Sequence, residues 1–257
     1  MKNYFFYCLC CLAITCLISC KKSPNEPDSG GTYLSAISYS NTCPNCTANS
    51  GVIKFSYNSN HQLVSVISSS DTFNFTTLYT YNASGQFVGE SESNSVVGLI
   101  EKFTFLYDAQ GRIIKETGIP YLANLAINDI TFAYDAANRV IGDSTHNLQT
   151  NNVLGYRVFE YDNTGNINKI TTVNILNGTP QAGSVQNFTY NDKLNPYYTI
   201  KDVNFFFTDD PLTLSGNMVI DTSPIQYTYY SNGLPRESVF KDMSIGSQSV
   251  NTYTYEP

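Results

Sequence analysis

Residues 105–116, FLYDAQGRIIKE, read as a strand, a tight turn and a second strand. Phe105 and Tyr107 stand two apart, so a pleated chain puts both rings on one face. Asp108 follows, and its side chain can accept hydrogen bonds from the backbone just ahead of it and so open a turn. Gly111 stands where a type I turn closing a hairpin wants a positive φ. Ile113 and Ile114 then start a return strand with β-branched residues that suit a half-buried sheet.

Close variants recur along the chain: FSYNSNHQLVSV from Phe55, YTYNASGQFVGE from Tyr79, FAYDAANRVIGD from Phe132, FEYDNTGNINKI from Phe159, FTYNDKLNPYYT from Phe188 and YTYYSNGLPRES from Tyr227, with a half-unit, YTYE, at Tyr253. The anchoring tyrosines are Tyr57, Tyr81, Tyr107, Tyr134, Tyr161, Tyr190, Tyr229 and Tyr255; most are 24 to 29 residues apart, and one gap is 39. Such a period is the signature of a repeat architecture. Gly85, Gly165 and Gly233 keep the positive-φ position, Asn138 is a tolerated substitute, His61 fits poorly, and Leu194 departs, with Asn195-Pro196 shifting the punctuation.

The polar or Gly/Pro-bearing segments 68–71, 90–95, 117–126, 144–152 and 177–183 are expected to connect the units. What remains is strands of about eight to ten residues. The expected fold is all-β: an antiparallel meander of about 15 strands built from repeated hairpins. A flat sheet that wide would leave an aromatic face in water and two raw edges. It is therefore expected to curl into a flattened roll, a sandwich-like wrap or a partly closed barrel. The 39-residue gap holds KDVNFFFTDDPLTLSGNMVID, residues 201–221, read as an irregular excursion. Phe205, Phe206, Asp209 and Asp210 within it form the candidate ligand surface.

The N-terminal residues supply an address. Lys2 precedes an apolar run too short to span a bilayer comfortably, which reads as an export signal over residues 1–19. The run ends Leu17-Ile18-Ser19-Cys20 and resembles the lipobox of bacterial lipoproteins. The resemblance implies acylation of Cys20 and stable anchoring in the outer membrane, with the periplasmic or cell-surface face left open. Residues 20–31, rich in Pro, Gly, Ser and charge, read as a lipid-anchored tether, and residues 32–257 as one β domain. Without Lys2 there are 13 basic side chains against 21 acidic ones, a balance that argues against nucleic acid as a partner.

FLYDAQGRIIKE and FEYDNTGNINKI resemble the YD repeats of the Rhs family. NDKLNPYY from Asn191 and YSNGLPRES from Tyr230 resemble segments of YD-like lipoproteins common in Bacteroidota, many of unknown function. The resemblance implies a β shell or sheet and carries over no catalytic residues, because the matching residues hold turn and core positions.

Cys43-Pro44-Asn45-Cys46 has three readings. A redox dithiol needs an electropositive helix N-terminus, and no helix pattern follows. A structural zinc site needs about four ligands. A local disulfide between Cys43 and Cys46 closing a turn is the expectation, and it suits an oxidising compartment. No nucleophilic triad, phosphate loop or zinc-protease motif occurs. His61 and His146 read as solvated. Asp108, Asp135 and Asp162 recur with the turn and so read as turn formers. No cofactor and no metal are expected. The expected role is a non-catalytic, monomeric binding module for a glycan, a peptide or an envelope partner. A structural or accessory lipoprotein without a small ligand is the alternative, and a β-barrel pore a lesser one.

Overall fold

In the computed structural model, which describes residues 33–44, 47–70, 74–120, 128–200, 211–220, 225–242, 244 and 246–256, the residue after five of the anchoring tyrosines, Tyr57, Tyr81, Tyr107, Tyr134 and Tyr161, closes a turn with its side chain. Asp108 Oδ1 accepts from the main-chain N–H groups of Gln110 and Arg112, both at 2.9 Å. Asn58, Asn82, Asp135 and Asp162 repeat the pattern. The main-chain N–H of Arg112 is the leading cause that holds the Asp108 carboxyl below the usual range, and that of Arg139 does the same for Asp135. Gly111 takes φ 79° and Asn138 φ 62°, as the turn requires. His61 also accepts a positive φ, 58°. Its ring stacks on Tyr33 at 4.7 Å and 8°, a contact that offsets the left-handed backbone.

The strands are β1 (Tyr33–Thr42), β2 (Asn49–Tyr57), β3 (Leu63–Ser70), β4 (Asn74–Tyr81), β5 (Phe87–Asn94), β6 (Gly98–Tyr107), β7 (Ile113–Pro120), β8 (Asn128–Tyr134) and β9 (Val140–Asn147). They continue as β10 (Val153–Tyr161), β11 (Ile167–Leu176), β12 (Thr179–Pro180), β13 (Ser184–Asn187), β14 (Tyr190–Leu194), β15 (Asn217–Val219), β16 (Ile225–Tyr229), β17 (Pro235–Asp242) and β18 (Ser247–Glu256). All but β14 and β15 join one antiparallel sheet of 16 strands. Its order runs from β12 and β13, both on β11, down to β1, and then through β18 and β17 to β16. The sheet is a meander and does not close into a barrel.

Strands run further than polarity alone suggests. Glu90 to Asn94, Thr117 to Pro120 and Ser144 to Asn147 were expected in connections and are strand residues. The inner face explains them. Near the tight turns it is apolar, with Leu34, Leu63, Phe87 and Ile167 almost fully buried. One step further along, it carries buried Glu90, Glu116 and Asp143. Asp143 accepts from Arg157 Nε at 3.1 and 3.0 Å and from Nη2 at 2.6 Å, so the charge is buried with its partner.

Between units, backbone pairing stops short of the turn end. The last β5–β6 pair is Gly89 with Thr104, which leaves the Phe87 carbonyl beyond the ladder. The Tyr107 hydroxyl donates to it. Tyr81 does the same for Leu63 O at 2.8 Å. Tyr57, Tyr134 and Tyr161 serve Leu34, Ile113 and Val140, each at 2.7 Å, and Tyr255 serves Pro235 at 3.0 Å. Each phenol satisfies a carbonyl that would otherwise lack a backbone partner. Arg112 and Arg139 lie over the Tyr134 and Tyr161 rings at 4.8 and 4.5 Å, adding cation–π cover from the preceding turn.

The two ends of the described chain build a further unit. Tyr255 pairs with Leu34 and Thr254 with Ala36, with one residue skipped between. Tyr57 with Leu63 and Ser56 with Ser65 make the same bulged step inside a covalent hairpin. β18 and β1 are thus a first strand and a return strand without a connecting turn.

Removing a single phenol hydroxyl tests this stitching. Tyr134→Phe should cost about 1–2 kcal/mol, because it strands a part-buried carbonyl, measured by urea unfolding. Burial pushes the Tyr134 and Tyr161 phenols up to about 12, partly opposed by Arg112 and Arg139. A raised folded-state pKa gives stability that is complete below the ordinary phenol value of 10.0. That stability is lost as pH climbs through about 12. Urea midpoints should therefore fall across that window, and less steeply in Tyr134→Phe.

Candidate functional site

The repeat breaks after Tyr190, and the residues there show why. β13 runs through Phe188 and Thr189 into β14, and Tyr190 keeps the usual bond, to Ile167 O at 2.5 Å. No glycine follows at the positive-φ position: Leu194 stands there, then Asn195 and Pro196. Pro196 falls where a return strand would begin, and it has no N–H to give a ladder. The chain instead enters a short 3₁₀ turn, η1 (Pro196–Thr199), whose Asn195 Oδ1 accepts from Tyr197 N at 3.1 Å. Tyr197, Ile200 and Leu214 then pack into the core.

The sheet therefore lacks one member. First and return strands alternate along it, but beyond β13, the first strand of its unit, the next wall strand in sequence is β16, the first strand of the following unit. Among the described residues no strand joins the two. The sheet nevertheless curls: η1 touches β1, while η2 (Pro211–Leu214) touches β11, near the other end of the sheet order. Tyr229 marks the omission as well. Its counterparts bond a return-strand carbonyl, whereas its hydroxyl meets the Asn191 side chain, and Lys193 Nζ lies 5.5 Å from its ring.

A buried polar knot fixes the excursion beside this gap. Ser215, fully buried, accepts from Ile167 N at 3.0 Å and donates to Tyr190 Oη at 3.1 Å. Ser215 and Tyr190 thus satisfy both main-chain groups of Ile167. Buried Asn166 accepts from Asn217 N and donates to Asn217 Oδ1, each at 3.1 Å. Asn195 Nδ2 reaches Ser215 O at 3.1 Å.

The result is a cleft of about 650 Å³. Gln186 and Asn187 reach it from β13, Asn195 to Tyr197 from η1 and its cap, Met218 and Val219 from β15, Tyr227 from β16 and Tyr253 from β18. Its described lining holds amides, hydroxyls, aliphatics and rings, with no carboxylate, imidazole, amine, guanidinium or thiol side chain. Such a surface can stack, exclude water and exchange neutral hydrogen bonds.

Phe205, Phe206, Asp209 and Asp210 lie outside the described residues, as do Cys20 and the segments read as signal and tether. Cys43 is disulfide-bonded; Cys46, its expected partner, also falls outside the described residues. His146 belongs to β9, not to a loop, with Nε2 3.2 Å from Thr131 Oγ1. It sits beside Asp129, which bonds Lys115 Nζ at 2.5 Å and Thr117 Oγ1 at 2.6 Å on the outer face. Among the described residues no group of His, Cys, Asp and Glu could hold a metal ion. The cleft residues Tyr227 and Met218, and Ser215 in the knot beside them, carry no individual mark in the sequence. The available signal was Pro196 at a return-strand start together with the 39-residue tyrosine gap.

Comparison with known proteins supports the fold alone. A porin-like protein from Bacteroides uniformis superposes with TM-score 0.51 at 12% identity, covering 87% of this chain and 98% of that one. A porin-like protein from Bacteroides vulgatus gives TM-score 0.50 at 12% identity, covering 88% and 99%. TcdB2-TccC3 without its hypervariable C-terminal region gives TM-score 0.36 at 14% identity, covering 80% of this chain and 14% of that one. No family model and no curated protein matches the chain.

Ser215→Ala should cost about 1–3 kcal/mol in urea unfolding, because it strands the buried Ile167 N–H. Ser215→Thr, which keeps the hydroxyl, should recover part of that loss.

Proposed function

We propose that this protein is a non-catalytic binding module of the bacterial cell envelope, and that its ligand sits in the gap between β13 and β16. One observation carries the reading: among the described residues no wall strand lies between β13 and β16, and a neutral cleft of about 650 Å³ lies there. That volume falls within the roughly 300–1,000 Å³ usual for ligand sites. The lining favours a ligand with apolar and neutral hydrogen-bonding groups, which a peptide or a glycan supplies. The lipobox-like Leu17 to Cys20 supports the envelope location, with an acylated Cys20 tethering a monomeric domain.

The printed description of two fold relatives as porin-like raises a second reading, a pore. The outer face speaks against it. On the side away from the core, β3 to β7 present Ser65, Thr76, Ser91, Lys102 and Lys115. The exposed aliphatics Ile67, Leu78, Leu106 and Ile119 are scattered among them and do not form the continuous apolar band that lipid requires.

The test is a screen of the full-length protein in mild detergent against peptide and glycan arrays. A ligand should be retained, and Tyr227→Ala should weaken it by about tenfold or more, as for a buried aromatic contact. Unchanged affinity in both Tyr227→Ala and Met218→Ala would move the site elsewhere. Absence of any ligand would leave the structural role, and ion conductance in planar bilayers would restore the pore.

A further inference from the structure

We infer that the rim of the sheet opposite the tight turns is a membrane-contact surface, whose hairpin tips enter the headgroup layer of a lipid bilayer. The inference rests on the envelope location in the reading above and not on the cleft. In a meander the connections fall alternately at the two ends of the strands, so this wall has two rims. One carries the tight turns at 58–62, 82–86, 108–112, 135–139, 162–166 and 230–234, and none of these exposes a large hydrophobic side chain. The other carries three hairpin connections that are described throughout, β5–β6, β9–β10 and β11–β12. At or beside each of them stands an exposed aliphatic. Val96 and Val97 are 76% and 53% exposed, Leu148 40% and Leu176 61%. Val153 and Leu154, also exposed, stand behind Leu148 at the start of β10.

Charge is absent from these tips. Residues 93–100, 147–156 and 170–191 contain no Asp, Glu, Lys, Arg or His, whereas two of the tight turns carry Asp108 with Arg112 and Asp135 with Arg139. The main-chain donors of the tips are met from within. Asn94 Oδ1 accepts from Val96 N and Val97 N at 2.9 and 2.8 Å, and Ser95 N donates to Asn74 O at 2.9 Å. Asn147 Oδ1 accepts from Gln149 N and Thr150 N, both at 3.0 Å, and Asn147 O accepts from Asn151 N at 2.7 Å. A tip closed in this way can leave bulk water without stranding its amides. Its aliphatic side chain then gains by leaving water, while the amides and hydroxyls around it suit the polar headgroup layer.

Spacing favours lipid over protein. With strands about 4.8 Å apart, the β5–β6 tip stands about 19 Å along the sheet from the β9–β10 tip, and that one about 10 Å from the β11–β12 tip. A stable protein interface needs a continuous complementary patch of roughly 800 Å² on each side. Separate apolar points suit a fluid surface that closes around each of them. Their neutrality, on a chain with an acidic excess, suits zwitterionic lipid better than a charged partner. The chain can also bring two attachments to one leaflet. Tyr33 lies at the tight-turn rim, because the carbonyl of the next residue, Leu34, accepts from Tyr57. A ten-residue strand such as β6 spans about 33 Å, and the thirteen residues 20–32 reach at most about 45 Å. An acylated Cys20 and the tipped rim can therefore share a leaflet.

The chain contains no tryptophan, so a single introduced indole reports alone. The experiment reconstitutes the full-length protein, purified in mild detergent, into phosphatidylcholine vesicles with and without bromine on the upper acyl chain. Reporters are Val97→Trp, Leu148→Trp and Leu176→Trp on the rim, with Ala136→Trp in a tight turn as the control; all four positions are exposed. Emission of the rim reporters should shift to shorter wavelength and be mostly lost to the brominated lipid, while Ala136→Trp keeps its water-exposed emission. Raising salt from about 0.1 M to 1 M, which shortens the Debye length from about 10 Å to 3 Å, should leave the quenching unchanged, because the contact uses no charge. Rim reporters no more quenched than Ala136→Trp overturn the inference. Quenching of Ala136→Trp alone lays the tight turns on the bilayer and overturns it too. A blue shift without bromine quenching assigns the tips to a second copy or another protein, and quenching abolished by salt assigns the contact to charge; each overturns the inference. So does protein that fails to float with the vesicles, which leaves the cleft reading standing, because peptide and glycan binding in detergent involves no bilayer. Two rim reporters suffice should one variant fail to fold.

Discussion

The bond from an anchoring tyrosine hydroxyl to a main-chain carbonyl one strand away is the contact on which the wall depends. Hairpins are locally complete: their turns are closed by Asp or Asn and a positive-φ residue. Nothing local joins one hairpin to the next near those turns, because the backbone ladder ends before the turn is reached. The phenol spans that interval. It is long enough to leave its own strand, apolar enough to lie in the core, and polar at the tip. Phenylalanine would fill the same space and strand the carbonyl. A net contribution of about 1 kcal/mol each is small singly, but the bond recurs at every between-unit junction of the wall and again at Tyr190, beside the gap.

Much of this was legible in residues 105–116. Tyr107, Asp108 and Gly111 hold the places that their spacing implied, and the curled meander follows from their repetition. Other features were hidden for physical reasons. Glu90, Glu92 and Thr145 look like loop residues because a polar inner face was not anticipated; once Arg157 is placed against Asp143, a strand can carry charge inward. His61 looks wrong for its φ until Tyr33 is laid against its ring. The pairing of Leu34 with Tyr255 has no local signal at all, since the bulge that defines it is shared by residues at opposite ends of the sheet-forming chain.

The gap is where local and global preferences disagree. A repeat that reads consistently at every level folds as a wall. At Leu194 to Pro196 the turn chemistry and the missing amide defeat the return strand. The chain compensates with Ser215, Asn166 and Asn217, side chains that no periodicity would flag. The same proline that removes a strand from the sheet thereby leaves two edges facing a neutral cleft. The excursion was expected to carry the ligand surface; the described residues of it that line the cleft are Thr213, Met218, Val219 and Ile220.

The turnless pairing of β1 with β18 also sets how the molecule would bear load. Tyr33 and Glu256 lie opposite each other at the same end of two antiparallel strands. Tension applied between Tyr33 and Glu256 would fall on that rung first and then on the next, so the pair would unzip in sequence and not shear as a block. The covalent hairpins elsewhere would feel little of it until β1 had peeled away. A weak line thus runs down the wall between β1 and β18, and the covalent hairpins lie mechanically behind it.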